Sequence, residues 1–583
     1  MSNSSTSKIP AARLLLKHLE AQGVKYVFGI PGGPLTPFYS AVHEILGLRP
    51  ILTKHEEGAA FMADGYARMS RRLGVCCVTA GPGCTNVVTG IATSFEDGVP
   101  VFLITAQVAT GALGRGALQE CGDRGMGVVD MFRPITKASM MLNRSDKMAE
   151  TVRHLLRVAL SGKPGPVHLN VPADLANELV LDEPVPRFSE HLKPAYFNRE
   201  AVKEASGILI RARRPAILAG GGVNLSGAYE ELKQFSKRFS IPVATTFKAK
   251  GAFPEDDPLS MGIFGFASSP KAEAYLLSGR VDVLLAVGTS LGEDATNGWD
   301  PRLKPKDALL QIDIDPVQIG KNYPVSVGLL GDAKTVLTEI RHQMERELRW
   351  TELPPRPTEG AREFLSRFPW CAQMEKMSSE QIPLKPQRLI RDLGDVLPEN
   401  AAVFCDIGDN MSWAMHYLKV NQPHSVFHCL GFAPMGYGVS ACIGAKLAAP
   451  GRPVIAVVGD AGFAMNGMEV HTACENNVPV IWLVLNNGGH GMVYHGENLL
   501  FGRKFNYSLF REPLRVTELA KSLGALSFQV TRPGELQGRI EECLKLGRPA
   551  VIEALVDPEE VPPIGARVKV MDQYIHQLTE KPA

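Results

Sequence analysis

The sequence lacks the features that mark several special classes of protein. No stretch approaches the roughly 18 consecutive apolar residues of a membrane-spanning helix, so none is expected. The ten cysteines include no C-x-x-C pair, which argues against a disulfide framework or a zinc site and favours reduced, buried thiols. The polar, serine-rich residues 1–10 contain no apolar core of a signal peptide, which predicts a cytoplasmic protein.

A charge excess of either sign is also absent. Lysine and arginine number 62 against 61 aspartates and glutamates, a net charge of +1, so neither a polyanion-binding surface nor a nucleic-acid partner is expected. The 56 glycines and 42 prolines are too few among 583 residues for a low-complexity or collagen-like chain. Because a single hydrophobic core stops growing at about 250–300 residues, the length predicts three to four globular domains.

Short apolar runs of strand length alternate with helix-like segments in three blocks. The runs lie at residues 25–29, 75–79, 101–105, 167–171, 216–219, 281–287, 309–314, 402–405, 454–458, 480–485 and 550–555, and helices are predicted at 58–69 and 147–160. Polar, proline-containing linkers are predicted at 181–195 and 350–384. The pattern predicts an α/β protein with three doubly wound parallel-sheet domains, at residues 1–185, 195–350 and 380–560. Ligands bind such sheets at the carboxyl ends of strands.

Two strand ends in the third block carry candidate cation ligands. Strand 454–458 is followed by GDAG at 459–462, and strand 480–485 by NNGG at 486–489. One strand–helix–strand unit separates Asp460 from Asn487, so both loops can lie side by side. Their oxygens suit a small hard cation that also binds phosphate, while the glycines allow backbone N–H groups to approach a diphosphate. The alternative is a pair of Asx turns that cap helices.

The first block carries a second candidate site. His55 and Glu56 open an amphipathic helix, and the segment GPGCTN follows at residues 81–86. A glutamate in the first turn of a helix is, by itself, typical of a capping or dipole-stabilising residue.

Together these segments resemble the thiamine diphosphate (ThDP) enzymes of the pyruvate oxidase and acetolactate synthase group, and above all the catalytic subunit of acetolactate (acetohydroxyacid) synthase. The resemblance extends from about Pro10 to Pro558, and it includes PGG at 31–33, QE at 119–120, MGYG at 435–438 and GMV at 491–493. It implies a pyrimidine-binding first domain, a middle domain and a diphosphate-binding third domain.

The resemblance also implies roles for individual residues. Glu56 would hydrogen-bond the pyrimidine N1′ atom, Gln119 would orient the substrate, and Met435 would lie beneath the bent cofactor. Mg²⁺ would be held by Asp460, Asn487 and the carbonyl of Gly489. Further cofactor contacts are implied for Pro31, Gly32, Gly33, Gly81, Pro82, Asn86, Gly408, Asp409, Asn410, Gly431, Gly459, Ala461, Gly462, Gly491 and Met492. Asp409 and Asn410 replace the family's Gln-His, and an acid beside a diphosphate is unfavourable unless its side chain turns away.

Oligomeric state and flavin content follow from the same resemblance. In this family the pyrimidine half of the site comes from one chain and the diphosphate half from another, which implies a homodimer or homotetramer; a regulatory subunit stays an open question. Acetolactate synthases carry FAD in the middle domain, where Gly220, Gly221, Gly222 and Asp313 match. A glycine triplet after a strand is also common in nucleotide-free loops, so enzymes with and without FAD are both open.

Two positions depart from the synthase pattern. Ser290 stands where the family has an arginine that pairs with the carboxylate of the second 2-oxo acid, and Gly496 stands where it has a bulky tryptophan. Serine cannot form a bidentate carboxylate clamp. We therefore expect a carboligase with pyruvate or a similar 2-oxo acid as donor and a non-carboxylate aldehyde or ketone as acceptor. The candidate acceptor pocket comprises Ser290, His490, Tyr494, His495 and Gly496, with residues 497–513 as a candidate lid. His490 and His495 are expected in the loop after Asn487.

Several other functions remain as alternatives. They are a true acetolactate synthase with a 2-oxo acid acceptor, a 2-oxo acid decarboxylase, a pyruvate oxidase and a cyclic-dione hydrolase. The decarboxylase is disfavoured because the chain has no His-His pair. A catalytically silent binding protein is disfavoured because Glu56, Asp460 and Asn487 are all present. The spacing of His424 and His428 resembles a metal pair, but no third ligand is evident and a structural role is favoured.

Overall fold

Three six-stranded parallel sheets organise the chain, one in each of three domains. The computed structural model describes residues 7–188, 196–349, 360–502 and 505–579. Helices flank every sheet, so the predicted α/β class with three doubly wound parallel sheets is confirmed. Within the described residues, no helix is both long enough and apolar enough to span a bilayer.

The N-terminal domain contains the first sheet and a small antiparallel pair. Its strands are β1 Lys8–Pro10, β2 Tyr26–Ile30, β3 Arg49–Leu52, β4 Gly74–Val78, β5 Val101–Gln107, β6 Ser139–Met141, β7 Val167–Pro172 and β8 Leu179–Leu181. Its helices are α1 Ala11–Ala21, α2 Thr36–Val42, α3 Glu56–Ser70, α4 Pro82–Asn86, α5 Val88–Asp97, α6 Val128–Phe132, α7 Met148–Leu160 and α8 Ala173–Asn177. The sheet order is β3-β2-β4-β5-β7-β6, and β1 pairs with β8.

The middle domain has a different strand order. Its strands are β9 Ala216–Ala219, β10 Val243–Thr246, β11 Ser260–Phe264, β12 Val283–Val287, β13 Ala308–Asp313 and β14 Val327–Leu330. Its helices are α9 Arg199–Arg211, α10 Gly221–Ser226, α11 Tyr229–Phe239, α12 Pro270–Leu276 and α13 Ala333–Glu347, and α14 Ala361–Ser366 packs against α12. The sheet order is β11-β10-β9-β12-β13-β14, the order of dinucleotide-binding sheets.

The C-terminal domain repeats the topology of the first. Its strands are β15 Ala402–Cys405, β16 Val426–Phe427, β17 Val454–Gly459, β18 Ile481–Asn486, β19 Leu526–Val530 and β20 Ala550–Leu555. Its helices are α15 Pro386–Val396, α16 Asp409–Tyr417, α17 Tyr437–Ala448, α18 Asp460–Asn466, α19 Glu469–Glu475, α20 Gly491–Phe501, α21 Val516–Ser522, α22 Glu535–Leu546 and α23 Gly565–Thr579. The order β16-β15-β17-β18-β20-β19 matches the N-terminal sheet, strand for strand.

The central strands form the cores of the domains. All seven residues of β5 and all five of β12 are buried, as expected for parallel strands that helices cover on both faces. Such strands are continuous apolar runs, and this explains why the sequence located them to within one or two residues. The edge strands β3, β6, β11, β14, β16 and β19 and the inner strand β10 carry a weaker pattern and were not predicted as strands.

Each sheet reverses its winding direction beside its first strand. These reversals lie between β2 and β4, between β9 and β12, and between β15 and β17. A crevice opens at the carboxyl ends of the strands at such a reversal, and ligands bind there. The candidate residues follow these strands: those at 31–33 and 81–86 in the first domain, 220–222 in the middle domain, and 408–410 and 459–462 in the third.

Helices α3 and α17 join the N-terminal and C-terminal domains at close range. A Cβ atom on Gly65 would lie 2.0 Å from the carbonyl oxygen of Ala441, and one on Gly444 would lie 1.9 Å from that of Met62. The Tyr437 hydroxyl donates a 2.7 Å hydrogen bond to Asp64. This packing fixes α3, whose first residue is Glu56, against α17, which follows Met435.

A buried ion cluster joins all three domains. Asp97 of the N-terminal domain pairs with Arg68 at 2.9 Å and with Lys248 of the middle domain at 2.8 Å. Arg68 also donates to the carbonyl of His428 in the C-terminal domain at 3.0 Å. Burial opposes ionisation of Asp97, but Lys248 and Arg68 more than offset it and lower its pKa.

Three local predictions need correction. The linker predicted at 350–384 contains helix α14, and residues 350–359 of it lie outside the described part of the chain. The candidate lid at 497–513 begins inside α20, and residues 503 and 504 are not described. His495 lies in α20 rather than in a loop, since glycine at 491 and 496 did not prevent a helix. The predicted limits of the three domains stay predictions.

Candidate functional site

Glu56 is held as a buried acceptor at the start of α3. The ring of His55 caps this helix and accepts from the backbone N–H of Glu57 at 3.2 Å. Only 7% of Glu56 is exposed, and its Oε2 atom accepts a 2.9 Å hydrogen bond from the side-chain amide of Asn86. A Cβ atom on Gly83 would lie 3.5 Å from Oε1, so the carboxylate faces the turn after β4.

A glutamate of the C-terminal domain supports this helix start. Oε1 of Glu469 accepts from the backbone N–H groups of Lys54 at 2.9 Å and His55 at 3.0 Å. The absence of a side chain at Gly58 leaves room for Glu469, because a Cβ atom at position 58 would lie 2.4 Å from Oε1 of Glu469. Burial raises the pKa of Glu469, and a hydrogen bond from Thr472 partly offsets the effect. Glu469 was not predicted as a functional residue, since an acid early in a helix carries no distinct sequence signal.

Gln119 has a strained backbone beside the turn after β4. Its φ is 63°, an uncommon value for a residue other than glycine. Gly81 has φ 68°, and a Cβ on it would lie 3.1 Å from that of Gln119. The Glu120 carboxylate holds the strained segment by accepting from the N–H groups of Gly114 and Gly116. Strain that neighbours maintain in this way is a mark of functional positions.

The turn after β2 lies against the same loop. A Cβ on Gly32 would lie 2.2 Å from the hydroxyl of Thr79, whereas Gly33 faces open space. Pro31 precedes this turn, and Pro82 occupies the first position of α4, where a missing N–H costs nothing. The structure therefore brings Pro31–Gly33, Gly81, Pro82, Asn86 and Glu56 together at one reversal of the first sheet.

Asp460 and Asn487 form the centre of the second candidate site, and Asp409 joins them. Asp460 is fully buried, and neither of its carboxylate oxygens has a hydrogen-bond partner of normal geometry. Asp409 Oδ2 accepts from the Asn487 amide at 3.2 Å, while Oδ1 has no partner. Burial raises the pKa of Asp460 to about 7. Burial and the charge of Asp460 raise the pKa of Asp409 to about 8.

These oxygens suit a bound cation. A buried carboxylate without partners is costly, and a cation removes that cost. The structure contains no group of three or more His, Cys, Asp or Glu side chains that could hold a metal, within the ranges it describes. The predicted ligands Asp460 and Asn487 offer carboxylate and amide oxygens, and the third, the Gly489 carbonyl, accepts from the N–H of Gly491 at 3.1 Å. This oxygen-rich set fits Mg²⁺.

Glycines shape the loop that carries Asn487. A Cβ on Gly491 would lie 2.1 Å both from the Asn487 amide and from Asp409 Oδ2, so only glycine fits there. Gly489 has φ 151°, and a Cβ on it would lie 2.6 Å from the carbonyl oxygen of Ser508. The segment 508–510 holds the loop through two backbone hydrogen bonds of 2.8 Å.

Asn410 and Asp406 brace the turn after β15. The Asn410 amide donates to the carbonyls of Asp406 at 2.7 Å and Val457 at 3.0 Å, which ties the ends of β15 and β17 together. The Asp406 carboxylate accepts from the N–H groups of Gly436 and Gly438 at 3.1 and 2.9 Å, and so fixes the segment after the half-buried Met435. Burial raises the pKa of Asp406 to about 7. Asp406 was not predicted from the sequence.

The remaining candidate cofactor residues lie in three places. Four lie at the Asp460 centre: Gly408 with φ 143°, Gly459 and Ala461 at the start of α18, and Gly462 against Asp406. Met492 is half-buried in α20. Gly431 lies elsewhere, since a Cβ on it would be 2.3 Å from Asp97 and 2.9 Å from the Lys248 amine.

The candidate acceptor residues do not share one environment. His495 is buried with its Nε2 atom 3.7 Å from Asp409 Oδ2, and Tyr494 donates to Glu559 at 3.3 Å. His490 contacts Phe510 edge to face, with 6.0 Å between ring centroids. Gly496 faces open space. Ser290 lies in the middle domain after β12. A common pocket for these residues stays a prediction.

The candidate FAD residues lie at the reversal of the middle sheet. Cβ atoms on Gly220 and Gly222 would come within 2.4 and 2.7 Å of Gly288, so these glycines allow close packing of the two strand ends. Gly221 lies beside Lys248, and Asp313 accepts from the N–H of Asp315 at 3.0 Å. Burial raises the pKa of Asp313.

His424 and His428 are structural. Their Nε2 atoms contact the carbonyls of Arg68 at 2.9 Å and Phe247 at 3.1 Å. All ten cysteines are free thiols, nine of them buried, as the sequence predicted.

Comparison with known proteins assigns the family. Models of the thiamine pyrophosphate (thiamine diphosphate) enzyme domains match residues 9–126 (N-terminal TPP binding domain), 202–340 (central domain) and 406–554 (C-terminal TPP binding domain). The probable acetolactate synthase large subunit of Methanocaldococcus jannaschii is 36% identical over 96% of this chain and 95% of its own length. That of Methanococcus aeolicus is 35% identical over 98% and 96%. Acetolactate synthase isozyme 3 large subunit of Escherichia coli is 31% identical over 98% and 99%. The chain therefore belongs to the thiamine pyrophosphate enzyme family and is close to the acetolactate synthase large subunits.

Proposed function

We propose that the protein is a ThDP- and Mg²⁺-dependent carboligase of the acetolactate synthase type. It decarboxylates pyruvate or a similar 2-oxo acid and transfers the acyl unit to a carbonyl acceptor. The observation that carries the proposal is the presence of two buried groups: Glu56, held by Asn86, and the Asp460 carboxylate, which has no hydrogen-bond partner of normal geometry. Both groups lie at the reversals of sheets with identical strand order.

The residues would divide the work as follows. Bound ThDP supplies a ring that stabilises an acyl carbanion. Glu56 exchanges a proton with the pyrimidine N1′ atom, because a buried carboxylate is a strong acceptor. Asp460, Asn487 and the Gly489 carbonyl hold Mg²⁺ for the diphosphate, and Gln119 orients the substrate.

The central test is the exchange of Glu56 for glutamine. E56Q keeps the shape of the side chain but cannot take up a proton, so pyruvate turnover should fall by at least about 100-fold. E57Q is the matched control, because Glu57 lies on the same turn and binds Asn466 at 3.2 Å. Full activity of E56Q would contradict the mechanism.

We propose that the working unit is at least a homodimer, with the cofactor between Glu56 of one chain and the Asp460 centre of the other. Leu118, beside Gln119, is 89% exposed, and Phe432, Met465 and Met468 are about half exposed. Exposed apolar side chains next to both half-sites support a protein interface there.

Mixing two inactive variants tests this arrangement. A dimer of one E56Q chain and one D460N chain would contain one intact site, so random mixing should restore about a quarter of wild-type activity. The separate variants should each stay inactive. If both half-sites act within one chain, mixing restores nothing.

The acceptor is proposed to be an aldehyde or ketone without a carboxylate. Ser290 offers no bidentate clamp, and Gly496 leaves open space. The names of the relatives favour a second candidate, a 2-oxo acid acceptor as in acetolactate synthase. The enzyme should be supplied with pyruvate and a panel of aldehydes, ketones and ketosugars, and the products identified by mass spectrometry. Acetolactate as sole product at high turnover would favour the second candidate.

The same assay covers the remaining alternatives. Free aldehyde would indicate a decarboxylase, hydrogen peroxide a pyruvate oxidase, and ring opening of a cyclic dione a hydrolase. An absorption spectrum of the pure protein tests for FAD. The strand order of the middle domain supports a bound dinucleotide. A colourless protein would exclude a stoichiometric flavin.

A further inference from the structure

The Asp460 centre contains a second carboxylate that the resemblance does not assign to the cation. Asp409 is the first residue of α16 and is 7% exposed. The resemblance places this position at the diphosphate, where an acid fits only with its side chain turned away. The structure turns the side chain toward Asn487 instead, with Oδ2 at 3.2 Å from the amide.

Three oxygen atoms at this centre lack hydrogen-bond partners of normal geometry. They are Oδ1 of Asp409 and both carboxylate oxygens of Asp460. Two buried carboxylates that repel each other are unfavourable unless a positive charge lies between them. Within the described residues, the imidazole of His495 lies within ion-pair distance of Asp409, with 3.7 Å between Nε2 and Oδ2.

We propose that Asp409 is a further ligand of the cation held by Asp460 and Asn487. The loops after β15, β17 and β18 then contribute one carboxylate, a second carboxylate and an amide to the same ion. The absence of a side chain at Gly491 supports this, because any Cβ there would collide with both Asp409 and Asn487. The chain thus preserves the close approach of these two groups.

A second carboxylate ligand determines the order in which the cation and the cofactor bind. With one carboxylate, a divalent ion retains a net positive charge and depends on diphosphate oxygens to complete its ligands. With two, the protein alone neutralises the ion. The cation therefore binds before the cofactor and organises the loop of Asn487 to receive it. This inference rests on the proposed ThDP and Mg²⁺ function.

The test measures cation binding without the cofactor. Mn²⁺ replaces Mg²⁺, and the electron paramagnetic resonance signal of free Mn²⁺ is recorded against increasing full-length protein. Wild type should bind one Mn²⁺ per chain in the absence of ThDP, and D409N should bind it at least about tenfold more weakly. D146N is the control, since it removes one negative charge at an exposed position and should bind as wild type.

Two results would overturn the inference. One is a wild type that binds no Mn²⁺ without ThDP; the other is a D409N variant that binds it equally well. Circular dichroism and the melting temperature check the fold of D409N. If D409N fails to fold, the H495Q variant is used instead. H495Q keeps both carboxylates and should bind Mn²⁺ at least as tightly as wild type. Loss of Mn²⁺ binding in H495Q would contradict the inference. Carboligation by wild type with ThDP and Mg²⁺ is assayed separately. If wild type is active but D409N binds Mn²⁺ as tightly as wild type, the proposed function stands and only the role of Asp409 is removed.

Discussion

The side-chain amide of Asn86 donates a 2.9 Å hydrogen bond to the carboxylate of Glu56. The bond connects the end of α4 to the start of α3, thirty residues earlier in the chain. A side chain with one bonded oxygen has a defined orientation, and the other oxygen stays free for a ligand. Asn86 therefore positions the proposed catalytic carboxylate.

We expect Asn86→Ala to lower kcat by roughly 10- to 100-fold, the range that loss of a hydrogen bond to a charged group gives. The melting temperature should change little, because Asn86 is exposed. Pyruvate turnover and thermal unfolding are measured together. Thr85→Ala is the matched control, since the neighbouring Thr85 is also exposed and its hydroxyl donates to the backbone carbonyl of Pro82. Equal kcat for N86A and wild type would remove this positioning role.

Asp97→Asn should destabilise the protein by about 3–5 kcal/mol, because it leaves Lys248 and Arg68 without their shared buried carboxylate. A D97N/K248M double variant should recover part of the loss, since Arg68 still has Asp64. Urea unfolding measures both effects. The exposed Asp146 serves as control, and D146N should unfold like wild type. Equal losses in the single and double variants would show that Lys248 and Asp97 are not coupled.

Acid should destabilise the protein partly through His168. Burial lowers the pKa of this imidazole to about 3, and its ring nitrogens contact the hydroxyls of Thr105 and Ser139 while the ring packs against Phe132. The unfolded chain takes up a proton below about pH 6.5 while the folded chain does not, so stability is full above that pH and falls as pH decreases. From pH 6.5 to 5 the loss is about 2 kcal/mol for this one group.

His168→Gln should remove that part of the pH dependence. The difference in unfolding free energy between wild type and H168Q is followed by urea unfolding from pH 7 to pH 5. It should shrink as the pH decreases, because only wild type loses stability through this group. A difference that stays constant across the range would contradict the assignment.

Gly496→Trp should change the choice of acceptor. No atom lies within 4 Å of a Cβ at this position, so the larger side chain has room in α20. We expect kcat/KM for bulky acceptors to fall by at least about tenfold relative to the smallest acceptor. Gly496→Ala is the control; it should stabilise the helix by about 0.5–1 kcal/mol and leave the selectivity unchanged. Unaltered selectivity in G496W would place Gly496 outside the acceptor pocket.

Much of the architecture was predictable from local patterns. Most buried inner strands are continuous apolar runs, so their order along the chain and approximate ends follow from the local sequence pattern, whereas the inner strand β10, with its two threonines, was missed. The short edge strands such as β16 were missed, because two residues carry no periodicity. His490 and His495 were expected in a loop after Asn487, but residues 491–501 form helix α20.

The candidate site was predictable in part for the same reason. Asp460 and Asn487 each follow a strong strand, so their approach could be anticipated from the strand ends. The partners that orient these groups could not. Glu469 contacts the N–H of Lys54 from more than 400 residues away, and Asp406 holds Gly436 and Gly438 across a crossover.

The sequence by itself determined three parallel sheets and the loops that carry Glu56, Asp460 and Asn487, because apolar runs and glycine-rich turns act locally. Only the tertiary structure decided where Asp409 points. A carboxylate after β15 can face solvent, the diphosphate or the neighbouring loop with the same local backbone. The choice depends on strand order, which places the ends of β15, β17 and β18 side by side, and on the missing side chain of Gly491, which leaves space for Asp409 next to Asn487.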